Sequence, residues 1–125
     1  MKINIIINLI IVSIISGQLS PTVISALKTA RMLEKKGDIN GAIAVYESVL
    51  TNHPNHAQSV QSLKNIFLNH QKYKKGVDFF KTRISQNPHD FKNYSDLGEF
   101  YYLNGQLKNA NDIWYRGINK FKHNR

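Results

Sequence analysis

The sequence predicts an all-α protein, a right-handed solenoid built from three helix–turn–helix repeats. Shifting the sequence against itself by 34 residues aligns residues of like chemistry in several columns, which indicates three copies of one structural unit. Within each copy, two runs of apolar residues at helical spacing are separated by a turn, and a proline follows the first two copies. The predicted repeats are 23–56, 57–90 and 91–124.

The aligned columns contain residues that a helical repeat would bury. Leu33, Phe67 and Tyr101 form one column of large residues. Two further large columns and one small column follow the same shift: Tyr46, Phe80 and Trp114; Leu50, Ile84 and Ile118; Ala42, Gly76 and Ala110. The small column is expected to let the two helices of a repeat approach closely, with the aromatic column filling the remaining space.

Residues that start and stop helices delimit the first repeat. Ser20 followed by Pro21 is typical of a helix start, because serine caps the first turn and proline needs no N–H donor there. Gly37 is expected to end the first helix, and Asp38 to cap the second. Pro54 is expected to end the second helix, and Asn55 to cap the third.

The third repeat shows the two helical stripes most clearly. Its first stripe ends at Gly105, and its second stripe follows at helical spacing. The two stripes consist of Tyr94, Leu97, Gly98 and Tyr101, and then of Ala110, Ile113, Trp114 and Ile118.

The period and these columns resemble the tetratricopeptide repeat, whose pattern is W-x2-L-G-x2-Y…A-x3-F…P. The third repeat matches as Tyr94-x2-Leu97-Gly98-x2-Tyr101…Ala110-x3-Trp114. The second matches as Val60-x2-Leu63-Lys64-x2-Phe67…Gly76-x3-Phe80…Pro88, and the first as Ala26-x2-Thr29-Ala30-x2-Leu33…Ala42-x3-Tyr46…Pro54. The resemblance covers residues 18–125. Lys64 and Arg83 depart from it, and we expect either looser packing of the second repeat or stems that reach its edge.

The first residues, MKINIIINLIIVSIISG, predict a signal peptide over residues 1–17. Their apolar run is shorter than the roughly 20 residues that a membrane-spanning helix needs, and small residues follow it. We expect cleavage near Gly17 and Gln18, export to the periplasm or cell envelope of a bacterium, and no transmembrane span afterwards. A retained N-terminal anchor, or an apolar helix folded into the domain, are the alternatives.

Composition argues against several kinds of function. The chain has no cysteine, which excludes disulfides and thiolate chemistry. Its carboxylates are dispersed and no phosphate-binding loop or nucleophile motif appears, so we expect no enzyme activity, no cofactor and no metal site. His53 and His56 flank a turn without a third ligand nearby in sequence, so they are interpreted as solvated turn residues.

The resemblance implies a concave surface lined by the first helix of each repeat. There the sequence places a mixed polar row that could hold an extended peptide, with Arg31 and Lys92 available for a carboxylate and Tyr102 for an apolar side chain. The carboxylate clamp of the chaperone-tail-binding subgroup is not matched, since only Lys92 fits it. The predicted groove residues are Leu27, Arg31, Gln58, Gln61, Asn65, Asn69, Lys92, Ser95, Glu99 and Tyr102.

The formal net charge of +9 favours acidic partners or anionic surfaces. Six lysines fall at or beside the turns within the repeats, and they predict a basic edge: Lys35, Lys36, Lys72, Lys74, Lys75 and Lys108. We expect no nucleic acid partner, because aromatic residues do not alternate with these lysines as stacking platforms.

The last predicted helix leaves Trp114, Ile118 and Phe121 without an obvious cover. Either further repeats follow in a longer protein, or the surface mediates self-association, or the last unit ends bare. The sequence thus predicts a noncatalytic scaffold of the bacterial envelope that binds a protein or peptide segment. A spacer or assembly arm of a longer repeat protein, or a binder of anionic surfaces through the basic edge, are the alternatives.

Overall fold

The computed structural model describes residues 20–122, which form six helices and no strand. The predicted all-α class and its helix–turn–helix pairs are confirmed. The predicted signal peptide, residues 1–17, lies outside the described residues. In chain order the helices are α1 (Pro21–Lys36), α2 (Ile39–Asn52), α3 (Ala57–Asn69), α4 (Tyr73–Gln86), α5 (Phe91–Leu103) and α6 (Leu107–Phe121).

The ends of α1 and the start of α2 follow the sequence prediction. The Val23 N–H donates to Ser20 Oγ at 3.4 Å, and Pro21 occupies the first turn. Gly37 adopts a left-handed conformation with φ 80° and ends α1. The Gly41 N–H donates to Asp38 Oδ1 at 2.9 Å. Local side-chain capping therefore accounts for this turn.

The predicted cap of α3 was wrong. His56, not Asn55, directly precedes the helix, and its Nδ1 accepts the Ser59 N–H at 3.2 Å. The equivalent residue one repeat later is Asp90, whose Oδ1 accepts the Lys92 N–H at 3.0 Å and caps α5. The residue that caps α3 therefore lies one position after Asn55, the residue that the sequence predicted.

The chain divides into two compact units, with the boundary after Ser59. In unit 1, α1 and α2 pack against each other. The Tyr46 hydroxyl donates to Glu34 Oε1 at 2.7 Å and ties the two helices together. The buried apolar residues of these helices are Val23, Leu27, Ala30, Ala42, Ile43, Tyr46 and Val49.

Unit 2 contains an aromatic core shared by α3, α4 and α5. The Phe80 and Phe100 rings stack with centroids 5.5 Å apart, and the Phe67 ring meets Phe100 edge-on at 6.2 Å. A Cβ on Gly76 would collide with the Phe100 ring. The small residue at this position therefore makes room for the first helix of the following repeat, rather than for α3 as the sequence suggested.

The pairing of α5 with α6 does use small residues to bring two helices of one repeat together. A Cβ on Gly98 would collide with the Trp114 indole, and one on Gly117 would lie 2.9 Å from Tyr94 Cβ. With the indole seated there, Trp114 Nε1 donates to the Ser95 carbonyl oxygen at 3.2 Å. Packing of the indole on α5 holds α5 in place, and α5 carries part of the candidate site.

Candidate functional site

Seven of the predicted groove residues lie in unit 2, on α3 and α5, and we call this set the polar face. Lys64 and Phe67 of α3 contact α5, so the two helices are neighbours there. The Glu99 side chain is 43% exposed, and the other six residues are exposed. The polar face consists of Gln61, Asn65, Asn69, Lys92, Ser95, Glu99 and Tyr102.

The remaining three predicted groove residues lie in unit 1, and the structure corrects the prediction for one of them, Leu27. Leu27 is only 5% exposed and shares a buried stripe with Val23 and Ala30 at helical spacing, so it offers almost no surface to a ligand. Arg31 and Gln58 are exposed.

A network of charged side chains joins α3 to α5 beside the polar face. Lys64 Nζ lies 2.8 Å from Asp96 Oδ1 and 2.7 Å from Glu99 Oε2. Lys92 Nζ lies 2.8 Å from Asp96 Oδ2. The Asp96 side chain is only 6% exposed, so both of its oxygens are paired in a largely desolvated position. Such pairing offsets the cost of burying the carboxylate.

The environment of Lys64 acts on its pKa in two directions. Burial lowers the pKa, whereas hydrogen bonds to Asp96 and Glu99 and the charges of both carboxylates raise it. The net pKa is raised above the usual 10.5, because the two acceptors favour the ammonium form. Lys64 is therefore a fixed cation of the network across the physiological pH range.

Lys64 occupies the position where the repeat pattern places a small residue. The sequence led us to expect looser packing of the second repeat or a stem that reaches its edge, and it did not predict an ion pair with the next repeat. The Lys64 ammonium group bridges to α5. Asp96 and Glu99 lie 32 and 35 positions downstream, close to one repeat length, and that spacing was the signal that could have revealed the pairing.

The network changes what the polar face can bind. Lys92 was a candidate ligand for a carboxylate, but its charge is already partnered by Asp96. Two lysines balance two carboxylates in the network, so its formal charge is zero. The polar face therefore favours neutral hydrogen-bonding groups over a charged terminus.

Side-chain amides provide the hydrogen-bonding capacity of the α3 edge. Gln61 Nε2 donates to Asn65 Oδ1 at 3.0 Å, which orients both groups along one side of the helix. A primary amide carries two donor hydrogens and one carbonyl acceptor, so one mutual bond leaves further capacity on both residues. This is the chemistry that an extended backbone requires.

An aromatic corner closes the polar face toward α6. The Tyr102 ring lies 6.4 Å from the Trp114 ring, and Tyr102 is 56% exposed. Because Trp114 is anchored to α5 through Ser95, the indole has a fixed place beside Tyr102. An exposed tyrosine on a fixed indole can take an apolar side chain of a ligand.

A second polar contact lies inside unit 2, between α4 and α5. Arg83 Nε donates to Asn93 Oδ1 at 3.2 Å, and the guanidinium lies 5.9 Å from the Phe79 ring centre. Burial lowers the pKa of Arg83, although Asp90 and Asp96 act in the opposite direction. Asn93 is 2% exposed, and its Nδ2 finds no hydrogen-bond partner among the described residues.

The six lysines of the predicted basic edge lie at or near helix ends, and their alignment along one edge stays a prediction. Lys35 and Lys36 form the last turn of α1 in unit 1. In unit 2, Lys72 precedes α4, while Lys74, Lys75 and Lys108 occupy the first turns of α4 and α6. Lys74 pairs with Asp78 at 3.2 Å, and both side chains are well exposed, so this pair adds little stability.

Neither a candidate metal site nor a candidate membrane span is found within residues 20–122. That part of the chain contains no group of three histidine or acidic side chains arranged to hold a metal ion. His56 caps a helix there, and His53 is exposed. None of the described helices combines the length and apolar character needed to cross a bilayer.

Comparison with known proteins supports the repeat. A model of the tetratricopeptide repeat matches residues 25–56, and repeats of this type mediate protein–protein interactions. No match is found among curated proteins. A solved structure titled "Crystal structure of MamA protein" has a similar fold, with a TM-score of 0.59 and 21% sequence identity. The match covers 80% of this chain and 55% of that one, and at this identity it shows a shared fold alone.

Proposed function

We propose that this protein is a noncatalytic scaffold of the bacterial envelope that binds an extended, uncharged peptide segment through its polar face. The observation that carries the proposal is the row of exposed amides on α3, joined to α5 by the Lys64 network. The tetratricopeptide repeat match supports protein binding as the general activity. The envelope location rests on the predicted signal peptide alone.

The expected mode of binding is hydrogen bonding to peptide backbone. Amides of Asn65 and Asn69 would contact backbone N–H and C=O groups, and Tyr102 would pack against one apolar side chain. A fixed platform favours such binding, because less side-chain freedom is lost when the ligand arrives. The Lys64 bridge and the seated Trp114 supply that rigidity.

An array of immobilised peptides of varied sequence, probed with the purified full chain, tests the proposal. We expect retention of uncharged extended segments and loss of that retention in Asn65→Ala/Asn69→Ala. Asn40→Ala/Asn52→Ala is the matched control, since it removes two exposed asparagines of α2 in unit 1. Both variants should keep the helical circular dichroism of the parent.

The charge balance of the polar face supplies a second criterion. Binding there should change little with added salt, because formally neutral contacts are hardly screened. An equal loss of retention in both double variants, or a pattern dominated by acidic peptides, would contradict binding at the polar face. Unchanged binding in all variants would instead favour the spacer-arm interpretation.

A further inference from the structure

The outward side of α6 is an apolar stripe that no other described helix covers. Leu107, Tyr115 and Ile118 share one side of this helix and are 56%, 69% and 55% exposed. A shallow groove of about 440 Å³ continues the stripe between the end of α6 and the start of α5. The groove is lined by Phe91, Tyr115, Ile118, Asn119, Phe121 and Lys122.

Unit 2 already shows what covers such a stripe. Ile84 of α4 occupies the same column as Ile118 but is only 7% exposed. Helix α5 packs on α4, with Phe100 against Phe80 and Asn93 against Arg83. The internal precedent for the exposed stripe of α6 is therefore a helix laid along its length, not a loop or a small ligand.

The charges on α6 determine what kind of partner helix can bind to its outward side. From Leu107 to Lys122 there are four basic side chains, Lys108, Arg116, Lys120 and Lys122, against the single carboxylate of Asp112. Among the described residues that line the groove, Lys122 is the charged one. A partner with acidic residues beside its apolar stripe would be attracted, and one with basic residues would be repelled.

A second copy of this chain does not meet that requirement. Among the described residues, the large apolar ones exposed on α1 are Ile24 and Met32. That helix also carries Lys28, Arg31, Lys35 and Lys36, and each copy has a net charge of +9. Like charges on both partners oppose association, most strongly at low ionic strength.

We propose that the outward side of α6 docks an amphipathic helix of a partner protein that carries acidic residues beside its apolar stripe. Ile118 would contact the apolar stripe from the position that the buried Ile84 holds in α4. Tyr115, whose counterpart Lys81 is exposed, would lie at the margin of the contact. Lys108 and Lys122 would pair with the acidic flanks. This surface is distinct from the polar face, so either proposal can fail without the other.

Two synthetic helical peptides of about 20 residues, long enough to follow the whole of α6, test this inference. They share one leucine and alanine stripe, with glutamate flanks in one peptide and lysine flanks in the other. Titration into the full chain at low and high salt should show binding of the glutamate peptide, weakened by salt. Tighter binding to the lysine peptide, or equal binding of both, would overturn the proposal.

Variants locate the binding on the chain. Ile118→Ser should weaken binding of the glutamate peptide by about tenfold, as expected for an apolar contact at the centre of a small interface. Ile24→Ser is the matched control, because Ile24 is also 55% exposed but lies on α1, and it should change binding less than twofold (about the error of a titration). Lys108→Glu/Lys122→Glu should weaken binding without removing apolar surface.

Sedimentation of the chain alone completes the test. We expect a monomer at low salt. Association that is abolished by Ile118→Ser would show that a second copy is the occupant, and would overturn the assignment to an acidic helix. Equal effects of Ile118→Ser and Ile24→Ser on the glutamate peptide would also overturn it, by removing the assignment to α6.

Discussion

Each of the three turns within the repeats contains one residue in a left-handed backbone conformation. Gly37 and Gly105 have φ of 80° and 78°, and Gln71 at the equivalent position has φ of 52°. Glycine adopts this conformation without strain, whereas a residue with a Cβ does so at a cost. Gln71 therefore adopts at a cost the conformation that Gly37 and Gly105 adopt without strain.

Gln71→Gly is expected to stabilise the protein by about 0.5–1 kcal/mol, since relief of the backbone strain exceeds the added entropy of the unfolded chain. Thermal and urea unfolding measure the change. Gly105→Ala is the converse control and should destabilise by a similar amount. A lower midpoint for Gln71→Gly would show that the glutamine side chain stabilises this turn.

The contact between Arg83 and Asn93 is a second feature set by single residues. Removing Arg83 alone takes a donor from the buried carboxamide oxygen of Asn93, and removing Asn93 alone takes one acceptor from the guanidinium. Each single replacement by leucine should cost about 1–3 kcal/mol. The double variant Arg83→Leu/Asn93→Leu should cost less than the sum, because neither residue of the contact is then left buried without the other. Additive losses in urea unfolding would rule out this coupling.

At the scale of helices, α3 and α5 are joined by both aromatic packing and charge. Phe67 contacts Phe100 near the core, and Lys64 bridges to Asp96 and Glu99 closer to the surface. A substitution that restored the small residue typical of the repeat would remove the cation nearest to a buried carboxylate. The repeat pattern therefore favours a small residue at position 64, whereas the local charge balance favours a lysine.

Lys64→Ala is expected to destabilise the protein by about 1–3 kcal/mol, because Asp96 loses one of its two cations. Lys64→Met keeps most of the aliphatic side chain and removes its charge. Comparing it with Lys64→Ala therefore separates the effect of the charge from the effect of packing. Lys81→Ala, which removes an exposed lysine of α4, is the control and should be nearly neutral. Equal unfolding midpoints for the parent and Lys64→Ala would contradict a stabilising role for the bridge.

The raised pKa of Lys64 gives this contribution a pH signature. A cation whose pKa is higher in the folded state stabilises fully below its unfolded value, and the contribution is lost as pH rises through the folded value. The stability difference between parent and Lys64→Met should thus be constant near neutral pH and shrink above the usual lysine pKa of 10.5. Urea unfolding from pH 7 upward measures it, and a difference that grows with pH would have the wrong sign.

For the whole molecule, the net charge of +9 bears on which partners it binds, and the N-terminal segment bears on where it acts. The polar face has a formally neutral network, whereas α6 is basic, so their ligands should differ in salt dependence. One chain could thereby hold an uncharged segment on one surface and an acidic helix on another. The export hypothesis places both activities outside the cytoplasm.

Expression of the whole chain in a Gram-negative host should yield periplasmic protein that begins near Gln18. The physical reason is the short apolar run, which can enter the export machinery but is too short to span a bilayer comfortably. Intact-mass measurement of the periplasmic fraction checks the prediction. Full-length protein in the membrane fraction would indicate a retained anchor instead.

Features that depend on neighbouring residues were determined by the sequence alone. The helix class, the turns and the caps at Ser20 and Asp38 follow from residues one to four positions apart, whose interactions exist in any single helix or turn. The sequence also named the residues of the polar face, whose role in binding stays a prediction.

Only the tertiary structure decided which distant side chains meet. Lys64 reaches Asp96 across 32 positions, Gly76 makes room for Phe100, and Leu27 lies buried where the resemblance to the repeat family had placed it on a ligand-facing side. Such contacts depend on how the helices pack, and one apolar or charged residue fits several packings equally well from sequence. That is why the neutral network, and hence the chemistry of the ligand that we propose, became visible only in the folded chain.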